Sequence, residues 1–512
     1  MIKKLIDKLL DKARSARAPR TVHGRRVEVP KSQHGIDPGL VDERAVKVVR
    51  TLAEGGYEAY IVGGAVRDLL LGLRPKDFDV ATNATPEQVK SLFRRAFIIG
   101  RRFRIVHVVF GRGRQDHGLS EVIEVSTFRA QVEASAADSV SGNEKTAKAE
   151  LAGKGRGPGP SHVIDAEGRV LRDNVWGPQV EDAARRDFTV NAMYYDPLRE
   201  IVVDYHGGIS DAKKKLLRMI GDPALRYRED PVRIIRAIRF AAKLGFEIEP
   251  KTRAPIQSMA ALLDNVPPSR TFDEMIKLLQ TGHALASVEE LRRHGLHRGV
   301  FPVLDVVLDE AQRHDGREKF VRLALADTDR RVAEGKPVAP SFMLACMLWH
   351  DVFERWKQLE ASGESSFVAL QQAIDAVFDA KIGDISGRGK LATDMREVWM
   401  MQPRFARRTG QSVHTLVEQV RFRAGFDFLR LRGQAGEVDP ELPLWWEQFS
   451  TANEDERARL IGQAREVAPP RSADPARSAD AAPAPEADPA RKRRRRRRRS
   501  GPGAPQATPL ES

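Results

Sequence analysis

Cysteine is almost absent from this 512-residue sequence: Cys346 stands alone. That excludes a disulfide framework and every metal site built from several thiolates, and it suits a reducing cytoplasm. No run of 18 or more apolar residues occurs, so no segment is long enough to span a bilayer as a helix. The N-terminus has no apolar core followed by a small-residue cleavage site, so no secretory signal is expected. The GxxxxGK[ST] pattern of a P-loop is missing. Aromatic residues are scarce and vanish from residues 133–160, which end Gly-Lys-Gly-Arg-Gly-Pro-Gly-Pro. A stretch with so little to bury is expected to be a disordered insertion, with order resuming by about His162.

What is present in excess is basic charge: 85 Lys and Arg against 71 Asp and Glu, a net charge of +14. Residues 491–499 are nine consecutive basic residues, and without them the net charge falls to +5. Such a block repels itself and stays solvated, so its partners are polyanions: RNA or an acidic membrane surface. The first twenty residues place Ile2, Leu5, Ile6, Leu9 and Leu10 at helical spacing among lysines and arginines. That stretch suits a helix lying at the inner membrane surface, or equally a helix docked on the protein.

Residues 21–40 read as a connector rich in turn formers. From Val41 the pattern is helix (41–55), strand (57–62), a Gly-Gly turn, helix (65–71), a charged strand (76–81), helix (86–95) and strand-like runs at Ile105–Phe110 and Glu121–Phe128. Alternation of this kind indicates an α/β or α+β domain. Beyond Asp211 apolar residues recur at helical spacing to about Leu460, and the Ala/Pro/Ser/Arg-rich tail should be disordered.

The chemistry is densest in Tyr60–Thr82, YIVGGAVRDLLLGLRPKDFDVAT. A strand runs into Gly63-Gly64 and a helix begins at once, so a phosphate can approach the backbone at a helix N-terminus, and Arg67 in the first turn is expected to add a charge-assisted contact that helps hold it. Asp77 and Asp79, at i and i+2, face one way on a strand with Phe78 behind them. Two carboxylates side by side are tolerable when they share divalent cations, and hard oxygen ligands favour Mg²⁺. A bare DxD is more often a solvated turn; its place behind a phosphate-type turn favours a metal site that clamps both oxygens of a phosphoryl transfer.

GGAVRDLLLG followed by PKDFDVAT resembles the signature of the bacterial tRNA nucleotidyltransferase and poly(A) polymerase family, in the DNA polymerase β-like superfamily. Residues 181–191, EDAARRDFTVN, are similar to its RRDFTxN motif. By that resemblance Asp187 joins the two aspartates, while Arg186 and Asn191 help hold ribose and phosphates. Glu124, in a strand-like run of the same domain, is a rival third carboxylate, and the sequence leaves the two alternatives open. Residues 226–233, RYREDPVR, match the family's EDxxR nucleotide-reading motif. Asp230 before Pro231 reads as an N-cap, which puts Asp230 and Arg233 one turn apart. Aspartate accepts from an exocyclic amine and arginine donates to the neighbouring ring nitrogen, an edge shared by adenine and cytosine and reversed in guanine and uracil.

The resemblance implies an α/β nucleotidyltransferase head with a mixed sheet, followed by all-helical neck, body and tail domains. The expected divisions are 1–40 (basic segment and connector), 41–205 (head), 206–270 (neck, base reading), 271–465 (RNA-binding body) and 466–512 (Arg-rich tail). It implies ATP as substrate, a two-Mg²⁺ site on Asp77 and Asp79, and AMP transfer to RNA 3′ ends of messengers, small RNAs and decay intermediates by a cytoplasmic monomer. The run Ile98–His107 looks like the poly(A)-polymerase version of its strand, without the Gly-x-x-His-Gly-Thr of CCA-adding enzymes. The Arg-rich tail, including Arg493, Arg495 and Arg497, suits a non-specific phosphate-binding arm. The alternatives are a CCA-adding enzyme and, in another class, a catalytically silent RNA binder. His350-Asp351 could suggest a metal-dependent phosphohydrolase, but no convincing further ligands accompany it.

Overall fold

The structure, a computed structural model, describes residues 24–100, 104–110, 122–130, 138–140, 162–165, 170–173, 175–296, 301, 315–381 and 388–467. The N-terminal basic stretch and the arginine block of the tail lie outside the described residues. No helix among the described residues is long and apolar enough to cross a membrane.

The head is built on an eight-stranded sheet in the order β1-β11-β10-β2-β3-β6-β5-β4. Its strands are β1 (Val27–Pro30), β2 (Ala59–Val62), β3 (Asp79–Thr82), β4 (Ala96–Ile99), β5 (Ile105–Val109), β6 (Val122–Thr127), β10 (Met193–Asp196) and β11 (Ile201–Asp204). Only β3 and β6 pair in parallel; the other neighbours are antiparallel, so the sheet is mixed. Helix α1 (Glu43–Glu54) starts where the Asp42 carboxylate accepts from the Arg44 amide at 2.7 Å. It buries Ala45, Val48, Val49 and Leu52, the i, i+3, i+4, i+7 stripe of an amphipathic helix. Helix α2 (Gly64–Leu70) buries Ala65, Val66 and Leu69. Helix α3 (Pro86–Leu92) opens on a reciprocal Thr85–Gln88 cap. These helices share one apolar cluster with Phe78, Val80, Val106, Val108, Ile123 and Val125 on one face of the sheet. On part of the other face, α4 (Gln179–Arg185) packs over Tyr60, Phe128, Tyr194 and Tyr205.

Beyond the head, α5 (Pro223–Glu229) and α6 (Val232–Leu244) lead into a helical region that includes α7 (Pro268–Leu279). One hydrophobic cluster runs without a break from Phe188 to Leu431, and a smaller one gathers Met401, Phe405, Trp446 and Phe449 near the C-terminus. Cys346 is fully buried, and burial raises its thiol pKa well above the ordinary value.

Three local expectations need correction. Val27–Pro30, expected in a connector, is the outermost strand of the head, joined to β11 by backbone pairing that its exposed side chains do not advertise. Asp138–Val140, inside the expected disordered insertion, is strand β7 of a three-stranded sheet with β8 (His162–Asp165) and β9 (Val170–Asp173). Strand pairing needs only backbone groups, so an aromatic-free segment can join it. The rest of 133–160 lies outside the described residues. Within the helical half, β12 (Leu216–Leu217) pairs in parallel with β13 (Glu247–Ile248).

Candidate active site

Strand β2 is buried along its length and delivers the chain to Gly63, whose φ of +76° and ψ of −134° suit glycine alone. The turn is open on its outer side: a Cβ on Gly63 would meet only Arg186 Nη1, at 3.8 Å, and the Asn191 carbonyl at 4.0 Å. Beneath it, Arg67 is 3% exposed. Its guanidinium donates to Asn191 Oδ1 at 2.6 Å and to Asp68 Oδ1 at 2.7 and 2.9 Å. Arg67 therefore braces the Gly63-Gly64 turn from below, and Arg186 is the cation above it.

Asp77 and Asp79 are exposed on either side of buried Phe78. Asp77 comes before the first paired residue, and Asp79 opens β3. In the parallel register Asp79 lies opposite Glu124 of β6, and Glu124 lies opposite His107 of β5. His107 Nε2 is 3.2 Å from Glu124 Oε1. The Asp79 carboxyl is pushed up to about 6, first by desolvation and then by the neighbouring charges of Glu124 and Asp77, with Arg186 opposing. Like charges so arranged invite a cation. Among the described residues no three His, Cys, Asp or Glu side chains close on a single metal point, so nothing here is a preformed cage.

Arg186 is held by Asp182, a buried carboxylate that also accepts from Arg185, the Tyr194 hydroxyl and the Arg129 amide. Two guanidinium groups hold the Asp182 carboxyl well below the usual range despite burial. Asp187 is equally committed. Its Oδ2 accepts from Arg236 at 2.6 and 3.0 Å, and its Oδ1 from the Phe188 amide at 2.8 Å and Asn191 Nδ2 at 3.3 Å. Against the opposing pull of burial, Arg236 lowers its carboxyl to about 2. Asp187 thus ties the head to α6, whereas Glu124 stands beside the aspartate pair.

A consequence is measurable in acid. A carboxyl depressed from 3.8 to about 2 contributes stability that is present above pH 4 and lost as pH falls through 2. The contribution is roughly 2 kcal/mol. Urea-unfolding midpoints measured down the acid limb should therefore fall less steeply in Asp187→Asn than in the wild type. Parallel curves would show that the ion pair does not contribute.

Asp230 ends α5, and α6 begins at Val232, so Pro231 rather than Asp230 takes the N-cap position. The expected one-turn relation survives this shift: the Arg233 amide donates to the Asp230 carbonyl at 3.0 Å. Asp230 is ion-paired with Arg270 of α7 at 3.1 Å. Arg233 Nη1 donates to Glu229 Oε2 and the Arg226 carbonyl, both at 3.0 Å. Arg226 in turn donates to the carbonyls of Arg185 and Arg186 at 2.5 and 2.6 Å, linking the Asp230–Arg233 turn to the RRDFTxN segment. The sequence reading missed Arg270, Asp182 and Arg236. Of these only Arg236 left a signal, three residues after Arg233 on the same helical face. His350 and Asp351 make no metal site: His350 Nε2 pairs with Glu437 Oε1 at 2.8 Å, and Asp351 lies 3.7 Å from Arg317.

Three family models match the chain. They are the poly A polymerase head domain over residues 59–218, the probable RNA and SrmB-binding site of polymerase A over 245–308, and the polymerase A arginine-rich C-terminus over 362–500. Poly(A) polymerase I of Haemophilus influenzae is 39% identical over 461 residues, spanning 90% of this chain and 95% of its own. The chain belongs to the bacterial poly(A) polymerase family. Poly(A) polymerase I of Salmonella typhi is likewise 39% identical over 439 residues, 85% of this chain and 88% of its own. The CCA-adding enzyme of Bacillus pumilus is 36% identical over 247 residues, only 48% of this chain and 52% of its own. A solved CCA-adding enzyme (apo form II) shares the fold at a TM-score of 0.50 and 18% identity, covering 86% of this chain and 99% of that one. The poly(A) polymerase head match contains both glycines of the turn together with Asp77, Asp79, Glu124, Asp182 and Asp187. Asp230 and Arg233 fall between the head and RNA-binding matches.

Proposed function

We propose that the cleft between the Gly63-Gly64 turn, the β3–β6 carboxylates and the N-terminus of α6 is where this poly(A) polymerase transfers AMP from ATP to an RNA 3′-hydroxyl and releases pyrophosphate. The single observation that carries the assignment is the cross-strand pairing of Asp79 with Glu124 beside Asp77, on the open face next to a glycine turn.

The donor set is all hard carboxylate oxygen. It suits Mg²⁺, which binds through one or two carboxylates plus substrate phosphates and keeps several waters rather than filling a protein cage. Asp77 and Asp79 would hold it, with Glu124 as the third carboxylate in preference to Asp187. When bound, a Mg²⁺ pair supplies acidification of the attacking hydroxyl and charge neutralisation on the departing pyrophosphate. The Gly63 and Gly64 backbone admits the triphosphate, Arg186 adds a cation over it, and Arg67 with Asn191 keeps the turn in place. Asp230 accepts from the adenine amine and Arg233 donates to the adjacent ring nitrogen. Glu229 and Arg270 hold the two readers in position until a base arrives.

The deciding assay is purified protein, Mg²⁺, a generic RNA primer and each NTP separately, with products sized on a gel. Extension with ATP alone supports the reading. Addition of CTP confined to tRNA ends would replace it with the CCA-adding one, and no incorporation at all would leave a silent RNA binder.

The arginine block 491–499 is proposed as an RNA tether. Each RNA phosphate it neutralises adds about −0.7 to the slope of log K against log salt. Truncation at residue 468 should raise the RNA KM at low salt and flatten its salt dependence, with little change in turnover at saturating RNA. Identical affinity and slope with and without the block would assign it to another partner.

A further inference from the structure

The open face of the head sheet extends beyond the carboxylates. In register across four strands lie Asp79 (β3), Glu124 (β6), His107 (β5) and Phe97 (β4). Residues in register point to the same side of a sheet, so these four side chains form one row. The flanking strand residues Val106, Val108, Ile123 and Val125 are buried on the opposite face. Strand β4 is the edge of the sheet, and it carries Phe97 at 57% exposure and Ile99 at 37%. Among the described residues Phe97 stacks on no other aromatic ring. Exposed Arg94 and Arg95 immediately precede the strand.

We propose that Phe97 is a stacking platform for a nucleobase of the RNA primer upstream of its reacting 3′ end. The proposal rests on the reading of Asp77 and Asp79 as the reacting centre. Three strand spacings put Phe97 about 14 Å from Asp79, too far to touch the nucleotide being joined and within reach of one behind it. An exposed aromatic beside cationic side chains is what single-stranded nucleic acid binds without regard to sequence, because every base has a stackable face. Base-independent grip suits an enzyme that must hold ends of any sequence. The edge strand β4 is short but apolar, and an unpaired apolar edge invites pairing with another chain, so an exposed phenylalanine kept there calls for a ligand. RNA is favoured over a protein partner because the row is continuous with the carboxylates where RNA must end.

The test uses the full chain at saturating ATP with short RNA primers, intact or carrying one abasic ribose at successive positions from the 3′ end. Phe97→Ala should raise the primer KM by roughly 5- to 150-fold, the range of one base–aromatic stack. The KM for ATP should stay constant, and Phe97→Trp should restore primer affinity. In the wild type one abasic position should cost the same factor, and that penalty alone should disappear in Phe97→Ala. An unchanged primer KM, or the same abasic profile in both proteins, would overturn the proposal and leave the edge strand to a protein partner. Failure of the carboxylate reading shows separately, as normal AMP incorporation by Asp79→Ala.

Discussion

Asp77→Ala and Asp79→Ala are each expected to lower AMP incorporation by at least about 10³-fold while folding and RNA binding persist. Both side chains face solvent and neither belongs to a buried ion pair, so their removal leaves the core as it was. For Asp79 the like charge of Glu124 and Asp77 is relieved, so the apo protein should be no less stable. Glu124→Gln should share the collapse in turnover. Asp187→Asn should instead show itself first in stability, because its carboxylate is occupied by Arg236, Asn191 and the Phe188 amide. Turnover measured under single-turnover conditions, with circular dichroism to verify the fold, checks all four variants. Near-normal incorporation by either of the first two would end the assignment.

Arg233→Ala should erode the preference for ATP over GTP, from the order of 10³-fold toward parity, rather than merely slow the reaction. The reasoning is one of unmet donors. Guanine turns a carbonyl toward Asp230 and an N–H toward Arg233, leaving buried polar groups opposed, which costs several kcal/mol. Without the guanidinium, half of that penalty has no source. Arg233 is only 15% exposed at its side chain and already fixed by Glu229 and the Arg226 carbonyl, so it meets a base with little entropy left to lose. Competition between ATP and GTP, read as a ratio of kcat/KM, decides the matter. Full selectivity with ordinary turnover would mean that the base is read elsewhere.

The parts of this site that were legible in the sequence are those written over a few consecutive residues. Gly63-Gly64, Asp77-Phe78-Asp79 and Asp230–Arg233 each carry their geometry locally, through a positive φ, a two-residue alternation and a helical turn. The partners that complete them were not legible, because register and packing set them between distant segments. Glu124 could be placed on a strand but not opposite Asp79 until β3 and β6 were paired. Arg270 reaches Asp230 from another helix, and nothing in its neighbourhood of sequence marks it. The role of Asp187 turned on Arg236, since a motif aspartate reads the same whether it faces a metal or an arginine. Strands β1 and β7 escaped for a simpler reason: strand pairing is a backbone property, and short edge strands have little side-chain signature.

The parallel pairing of β3 with β6, alone in an otherwise antiparallel sheet, has a kinetic meaning as well as a geometric one. Parallel neighbours cannot be joined by a hairpin; here the chain must complete α3 and the β4–β5 hairpin before β6 can dock. Such non-local pairings close late, because chain entropy is lost before the contact rewards it. The glycine turn can take shape early, within one β–α unit, while the strand that sets Glu124 opposite Asp79 is expected to pair later. On the proposed role of the two aspartates, catalytic competence is then a property of the finished head: a refolding chain would hold both residues before Asp79 is brought into register with Glu124.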